Sequence, residues 1–301
     1  MGLWLMLSLA LSLVFFREFW VRLPAMLSPG WVFGEHHASP WGVLALCLVF
    51  LWLKRKEVWK GMSLSSSYLE QSKGYRLLTG LGRTVIGLGL VVGAVLMPSS
   101  PDYLVFQVLL ALLGVFIIFF GRAAKIPSIL LTIYAFTISF PLMIQHFVED
   151  VYSRIAITPL MWLLPTIGYP LQNEGQWLHF TSSGGELISI AITADCAGPA
   201  TMAVFIAIFA LMTLDMPLPP KKTAGLFLFG VVGTWFQSFI RLVILILVGY
   251  YWGEHALWTT HFWTIYILFP LWYLLFAYVY FKQVRRLPKV RESRTETHLG
   301  D

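Results

Sequence analysis

Charge is scarce in this chain. Asp, Glu, Lys and Arg make up 12% of its 301 residues and hydrophobic residues 58%, whereas roughly a quarter of a soluble domain is charged. That excludes an ordinary soluble globule and implies a polytopic membrane protein. Cysteine is scarcer still: Cys47 and Cys196 are the two in the sequence. Their settings are unlike, Cys47 amid Leu and Val and Cys196 at a polar-to-apolar junction, so neither a disulfide framework nor a metal cage is implied, and no cofactor is called for. The net charge of +6 would suit nucleic acid if it were clustered. It is spread over short segments between apolar runs, which excludes nucleic acid and fits membrane orientation instead. The first sixteen residues lack Lys and Arg, and no small-residue cleavage site follows them. They are expected to be a retained first span rather than a signal peptide.

Long apolar runs are what the sequence has in abundance. A bilayer core of about 30 Å needs roughly 20 apolar residues per helix. Uncharged runs cover Thr84 to Pro101, Tyr103 to Phe120, Ile126 to Gln145, Ala197 to Leu214 and His261 to Phe281. Thr223 to Gly253 is broken only by Arg241, and the shorter runs Gly2 to Phe16 and Ala38 to Leu53 bring the expected count to eight. The fold class is therefore an all-α polytopic membrane protein of about eight transmembrane helices. Residues 1–281 form one integral membrane domain, and 282–301 a basic cytoplasmic tail, solvated or lying on lipid. With both termini in the cytoplasm, sixteen of the twenty-one Lys and Arg fall inside, while Arg17, Arg22 and Arg154 and most acids fall outside. This is the positive-inside pattern.

The longest outer connection, Phe147 to Asp195, carries structure of its own. Leu160 to Pro165 is apolar and is expected to lie at the interface or re-enter the membrane. Gln176 to Thr181 and Glu186 to Ile192 flank Ser182-Ser183-Gly184-Gly185 and read as an extracytoplasmic β-hairpin. Its second strand leads to Cys196.

Three ionisable residues stand out. Cys196 precedes Gly198 and Pro199, which suit a helix start, and a thiol there is favoured as thiolate by the unpaired amides and the macrodipole. Arg241 lies inside a span, roughly 10 to 15 Å below its outer end, where a charged side chain usually faces the bundle interior and marks function. Its structural alternative is an arginine paired with Asp195 or Glu186. For a general base, His179, His255 and His261 all face outward. His261 opens an apolar span, whereas His255 lies in the connection Trp252 to Ala256; sequence chemistry separates them only weakly.

The residues Thr166-Ile167-Gly168-Tyr169-Pro170-Leu171, Glu174-Gly175, Gly185-Glu186-Leu187-Ile188-Ser189-Ile190 and Ala194-Asp195-Cys196-Ala197-Gly198 resemble the run into the nucleophile of the exosortase/archaeosortase family. Arg241 one span later, and His261 eight residues after Gly253, continue the likeness over about residues 160–270. Residues Ala197 to Thr201 and Ser238, where many members carry Asn, depart from it. The resemblance implies a cysteine transpeptidase in a prokaryotic plasma membrane, with a catalytic Cys196, Arg241 and His261 on the extracytoplasmic side. It also implies the partners: exported proteins bearing a C-terminal sorting signal, and a lipid or glycan acceptor. The rival from another class is a transporter or flippase in which Arg241 holds an anionic headgroup. Such proteins are often built from internal repeats, and none is convincing between the first and last four spans.

Overall fold

A computed structural model describes residues 14, 17–26, 38–58, 73–97, 104–120, 125–193 and 198–286. The expected first span, apart from Val14, lies outside the described residues, as do Asp195, Cys196 and the tail beyond 286. The described chain runs α1 (Arg17–Met26), α2 (Ala38–Leu53), α3 (Lys73–Leu96), α4 (Leu104–Phe120), α5 (Lys125–Phe147) and α6 (Glu149–Thr166). Strands β1 (Gln172–Glu174), β2 (Trp177–Thr181) and β3 (Leu187–Ala191) follow, then α7 (Pro199–Asp215) and α8 (Pro220–Arg285). By length and composition α5 and α8 can each cross a membrane, and shorter apolar helices cover Pro40–Leu53, Leu81–Leu96, Val105–Ile118 and Pro199–Asp215. Contacts divide the chain into two compact units, Met1–Val148 with Ile206–Leu211, and Glu149–Phe205 with Met212–Asp301.

In the first unit, α3 and α4 cross where glycine faces glycine. A Cβ on Gly87 would come 2.7 Å from the Gly114 carbonyl, and one on Gly114 would come 2.5 Å from the Gly87 carbonyl. Small residues at such a crossing let backbones approach, the main source of helix affinity where lipid removes the hydrophobic drive. Gln107 of α4 donates from Nε2 to the Met97 carbonyl just past the end of α3 (3.1 Å), supplying a donor where a helix leaves carbonyls unpaired. Cys47 is buried between α2 and α5, its thiol 3.9 Å from the Leu130 carbonyl. It packs as a small apolar residue.

The second unit is built on a sheet laid against two helices. β2 pairs with β1 on one side and β3 on the other, both antiparallel, with Leu178 opposite Ile190 and Phe180 opposite Ile188. Alternation sends those four side chains inward with Leu171 and Ile192, against Ile157, Leu160 and Leu164 of α6 and Leu242, Leu245 and Ile246 of α8. The hairpin expected from the Ser/Gly turn is therefore present, with β1 added on its far edge. Helix α6 is longer than the apolar stretch that Leu160 to Pro165 marks out in the sequence. It starts at Glu149 and Asp150, acids that suit the positive end of a helix dipole.

Helix α8 is two helices joined at one residue. Sixty-six residues in a straight helix would extend about 99 Å, but Gly253 adopts φ 80°, ψ −179°, a region that essentially only glycine enters. The two halves then fold back on each other. Gly249 faces Leu257, Thr234 faces Trp272 and Gly230 faces Phe276, pairs placed at near-equal separations before and after the bend. The Trp272 indole donates to Thr234 Oγ1 at 3.0 Å. Helix α7 joins the pair through Tyr273, whose hydroxyl donates to the Thr201 carbonyl (2.8 Å), and Tyr280, which donates to the Met216 carbonyl (2.7 Å). The sheet secures the bend from outside: Ser183 N–H donates to the Tyr250 carbonyl (2.8 Å), and the Glu186 carboxylate sits beside Gly253, 2.9 Å from where a Cβ would be.

The fold-back refines two details. The connection Trp252 to Ala256 is exposed at Trp252, Glu254 and His255, but it is helical on both sides of Gly253. For the same reason His261 does not begin its helix; it lies in the third turn of the returning helix.

Candidate active site

Twelve residues before Gly253 and eight after it, on facing helices, are Arg241 and His261. At 1.5 Å per residue they lie about 18 and 12 Å along their helices from the bend. Both are buried, Arg241 to 3% exposure and His261 to 9%. Arg241 Nη2 is 3.3 Å from His261 Nδ1 and 3.1 Å from Nε2. An in-plane position near-equidistant from both nitrogens would collide with the carbon between them, so the guanidinium nitrogen lies over the face of the ring. Arg241 therefore takes up neither in-plane nitrogen position, where a proton is gained or lost. Nη2 also approaches the His261 carbonyl at 3.4 Å.

A third side chain completes the group. Arg241 Nε donates to Thr264 Oγ1 (3.3 Å), and the Thr264 hydroxyl donates to the His261 carbonyl (3.1 Å). With its proton committed to that carbonyl, the hydroxyl presents its lone pairs to the guanidinium. Thr264 is 9% exposed. It thus ties the arginine on one half of α8 to the histidine backbone on the other. Sequence reasoning missed it, although its spacing of three residues from His261 puts the two on one helix face.

The start of α7 comes to the same place. Gly198 is its N-cap in the left-handed conformation, φ 98°, ψ 26°, and Pro199 opens the helix, as Gly198 and Pro199 imply from sequence. A Cβ on Gly198 would strike the Ser238 hydroxyl and lie 3.1 Å from Ser238 Cβ and 3.0 Å from Thr201 Oγ1. Ser238 is one helical turn before Arg241, so the N-terminus of α7 is seated against α8 beside the arginine. Cys196 itself lies outside the described residues.

The other candidates lie elsewhere. His179 is on β2, with Nδ1 2.8 Å from Ser189 Oγ and Nε2 3.9 Å from the Glu174 carboxylate. His255 is exposed in the first turn after the bend. Glu186 sits at Gly253, about 18 Å along the helix from Arg241, and is not the arginine's counter-ion.

Residues 31–278 match the family described as Transmembrane exosortase (Exosortase_EpsH). The chain belongs to the exosortase family. The match encloses Cys196, Arg241, His261 and Thr264, and runs through both structural units. No curated protein and no solved structure gives a match. Exosortase membership makes this a membrane protein and supports a transpeptidase of that type acting on protein substrates.

Proposed function

We propose that this exosortase-family chain is a membrane-embedded cysteine transpeptidase. It cleaves the C-terminal sorting signal of exported proteins, a short motif followed by a hydrophobic helix and a basic tail, and passes them to a lipid or glycan anchor. The observation that carries it is the buried pairing of Arg241 with His261 across the bend of α8, next to the start of α7. Cys196 is two residues before Gly198, a stretch of backbone that spans at most about 7 Å. In this reading the tether brings the thiol to the arginine and histidine.

In this mechanism His261 takes the thiol proton of Cys196, and the thiolate attacks a backbone carbonyl of the substrate. Arg241 stabilises the oxyanion of the tetrahedral adduct. The adduct collapses to a thioester as the leaving amine takes the proton from His261. An acceptor hydroxyl or amine then attacks the thioester and restores the thiol. Thr264 is a positioning residue that fixes the guanidinium relative to the ring. A site set below the bend suits a substrate arriving as a transmembrane helix, since its scissile bond emerges beside it. The lysine and arginine distribution supports about eight spans, with cytoplasmic termini and the bend of α8 on the outer side of a prokaryotic plasma membrane.

The test is co-expression with an exported protein carrying a C-terminal apolar segment and basic tail. Wild type removes the segment and adds an acceptor mass. Cys196→Ala, inserted and folded at equal level, leaves the substrate intact. Cleavage that persists in Cys196→Ala sinks the proposal.

A further inference from the structure

Among the described residues, the second unit leaves one strand edge unpaired by any other strand, on the segment that runs into Cys196. In the β2–β3 ladder, Ile192 N–H donates to the Gln176 carbonyl and Ser182 N–H to the Glu186 carbonyl, both at 2.8 Å. With the register of Phe180 opposite Ile188 and Leu178 opposite Ile190, the even-numbered residues of β3 are those that bond to β2. The amides and carbonyls of Leu187, Ser189 and Ala191 therefore point away from it. The sheet order is β1-β2-β3, so among the described residues no strand pairs with this edge. Leu187 is 68% exposed, and the Ser189 side chain, bonded to His179, is on the exposed face.

Proteins usually protect such an edge with lysine, proline or a bulge. Leu187-Ile188-Ser189-Ile190-Ala191 contains no charge and no proline, and its pairing with β2 is unbroken. Among the described residues this edge has no strand partner, and it leads within five residues to the proposed nucleophile.

We infer that the free edge of β3 binds the substrate's extended segment just upstream of its scissile bond, by adding that segment to the sheet as a fourth strand. The inference rests on the transpeptidase function proposed above. Its chemistry is β-augmentation, in which main-chain hydrogen bonds give affinity and alternate side chains give specificity. It also accounts for why the substrate must be extended there: a carbonyl engaged within a helix is not open to thiolate attack.

The test uses single cysteines in a full-length background carrying both Cys47→Ala and Cys196→Ala, where neither native thiol can interfere. Leu187→Cys or Ser189→Cys is paired with cysteines walked through the substrate upstream of its cleavage site, oxidised in membranes and read as disulfide-linked complexes. Cross-links should recur at every second substrate position, and the favoured positions should shift by two between the Leu187→Cys and Ser189→Cys proteins. No substrate cross-link, no alternation, or cross-linking only between two copies of the enzyme would overturn the inference. In the active enzyme, Ser189→Pro removes one edge amide and should raise KM about tenfold, the order expected for one or two lost hydrogen bonds, with little change in kcat. Cys196-dependent cleavage indifferent to Ser189→Pro, without alternating cross-links, defeats the docking edge and leaves the transpeptidase standing. Alternating cross-links without Cys196-dependent cleavage do the reverse.

Discussion

Replacing Gly198 by alanine tests how the start of α7 is seated beside Arg241. Two costs add. The backbone at φ 98°, ψ 26° disfavours any residue with a Cβ by about 1 to 2 kcal/mol. The new methyl also meets the Ser238 hydroxyl, Ser238 Cβ at 3.1 Å and Thr201 Oγ1 at 3.0 Å, an overpacking that costs typically about 1 to 3 kcal/mol. Gly198→Ala should therefore lose about 2 to 5 kcal/mol. Ser238→Ala alone gives up only a hydroxyl bond to the Thr234 carbonyl at 3.2 Å, worth about 1 kcal/mol. Combined, the two should not add. Removing the hydroxyl opens the tightest contact and returns about 1 to 2 kcal/mol of the overpacking share, while the backbone share stays. Unfolding in mixed micelles of all four proteins gives the coupling energy directly. Additivity within about 0.5 kcal/mol would mean that α7 does not begin against Ser238, and would remove the link between Cys196 and the arginine.

Other outcomes follow from the same geometry. Thr264→Val leaves a buried guanidinium N–H without its acceptor, a loss of about 1.5 to 3 kcal/mol for a charged donor; kcat for substrate processing should fall about 10- to 100-fold, with KM little changed and Thr264→Ser restoring most of it. Gly253→Ala forces a Cβ into a glycine-only region at roughly 1 to 3 kcal/mol, so the midpoint of thermal unfolding should drop, and Glu186→Ala should rescue little because its carboxylate can swing aside. The hydroxyls of Tyr169 and Tyr251 share a hydrogen bond of 2.6 Å, which together with desolvation raises the Tyr169 phenol above its ordinary value. A raised value means the bond's contribution is intact at neutral pH and is lost only as pH climbs through the alkaline range above about 10. The stability gap between wild type and Tyr169→Phe should hold steady from neutral to mildly alkaline pH and close beyond it.

Much of the fold was legible because its signals are local. Ala38–Leu53 begins and ends where its apolar run does, and the hairpin follows from alternating residues on either side of Ser182 to Gly185. Arg241 was conspicuous because a charge inside an apolar run needs a reason. What escaped was set by tertiary geometry. The bend at Gly253 looks like a loop in sequence, since Glu254 and His255 are polar, but a single glycine turns the chain and both residues stay helical. That shift places His261 inside a helix. Thr264 was invisible because a threonine in a span carries no charge, and only the fold-back puts its hydroxyl against Arg241. β1 was hidden by its brevity, three residues paired only once β2 exists.

The most direct measurement is the intact mass of a processed substrate formed in membranes with hydroxylamine present. A thioester on Cys196 predicts a substrate ending in a hydroxamate at the cleavage point with wild type, and uncleaved substrate with Cys196→Ala. The account would be contradicted by cleavage to a plain carboxylate that hydroxylamine does not divert and that persists when Cys196 is replaced.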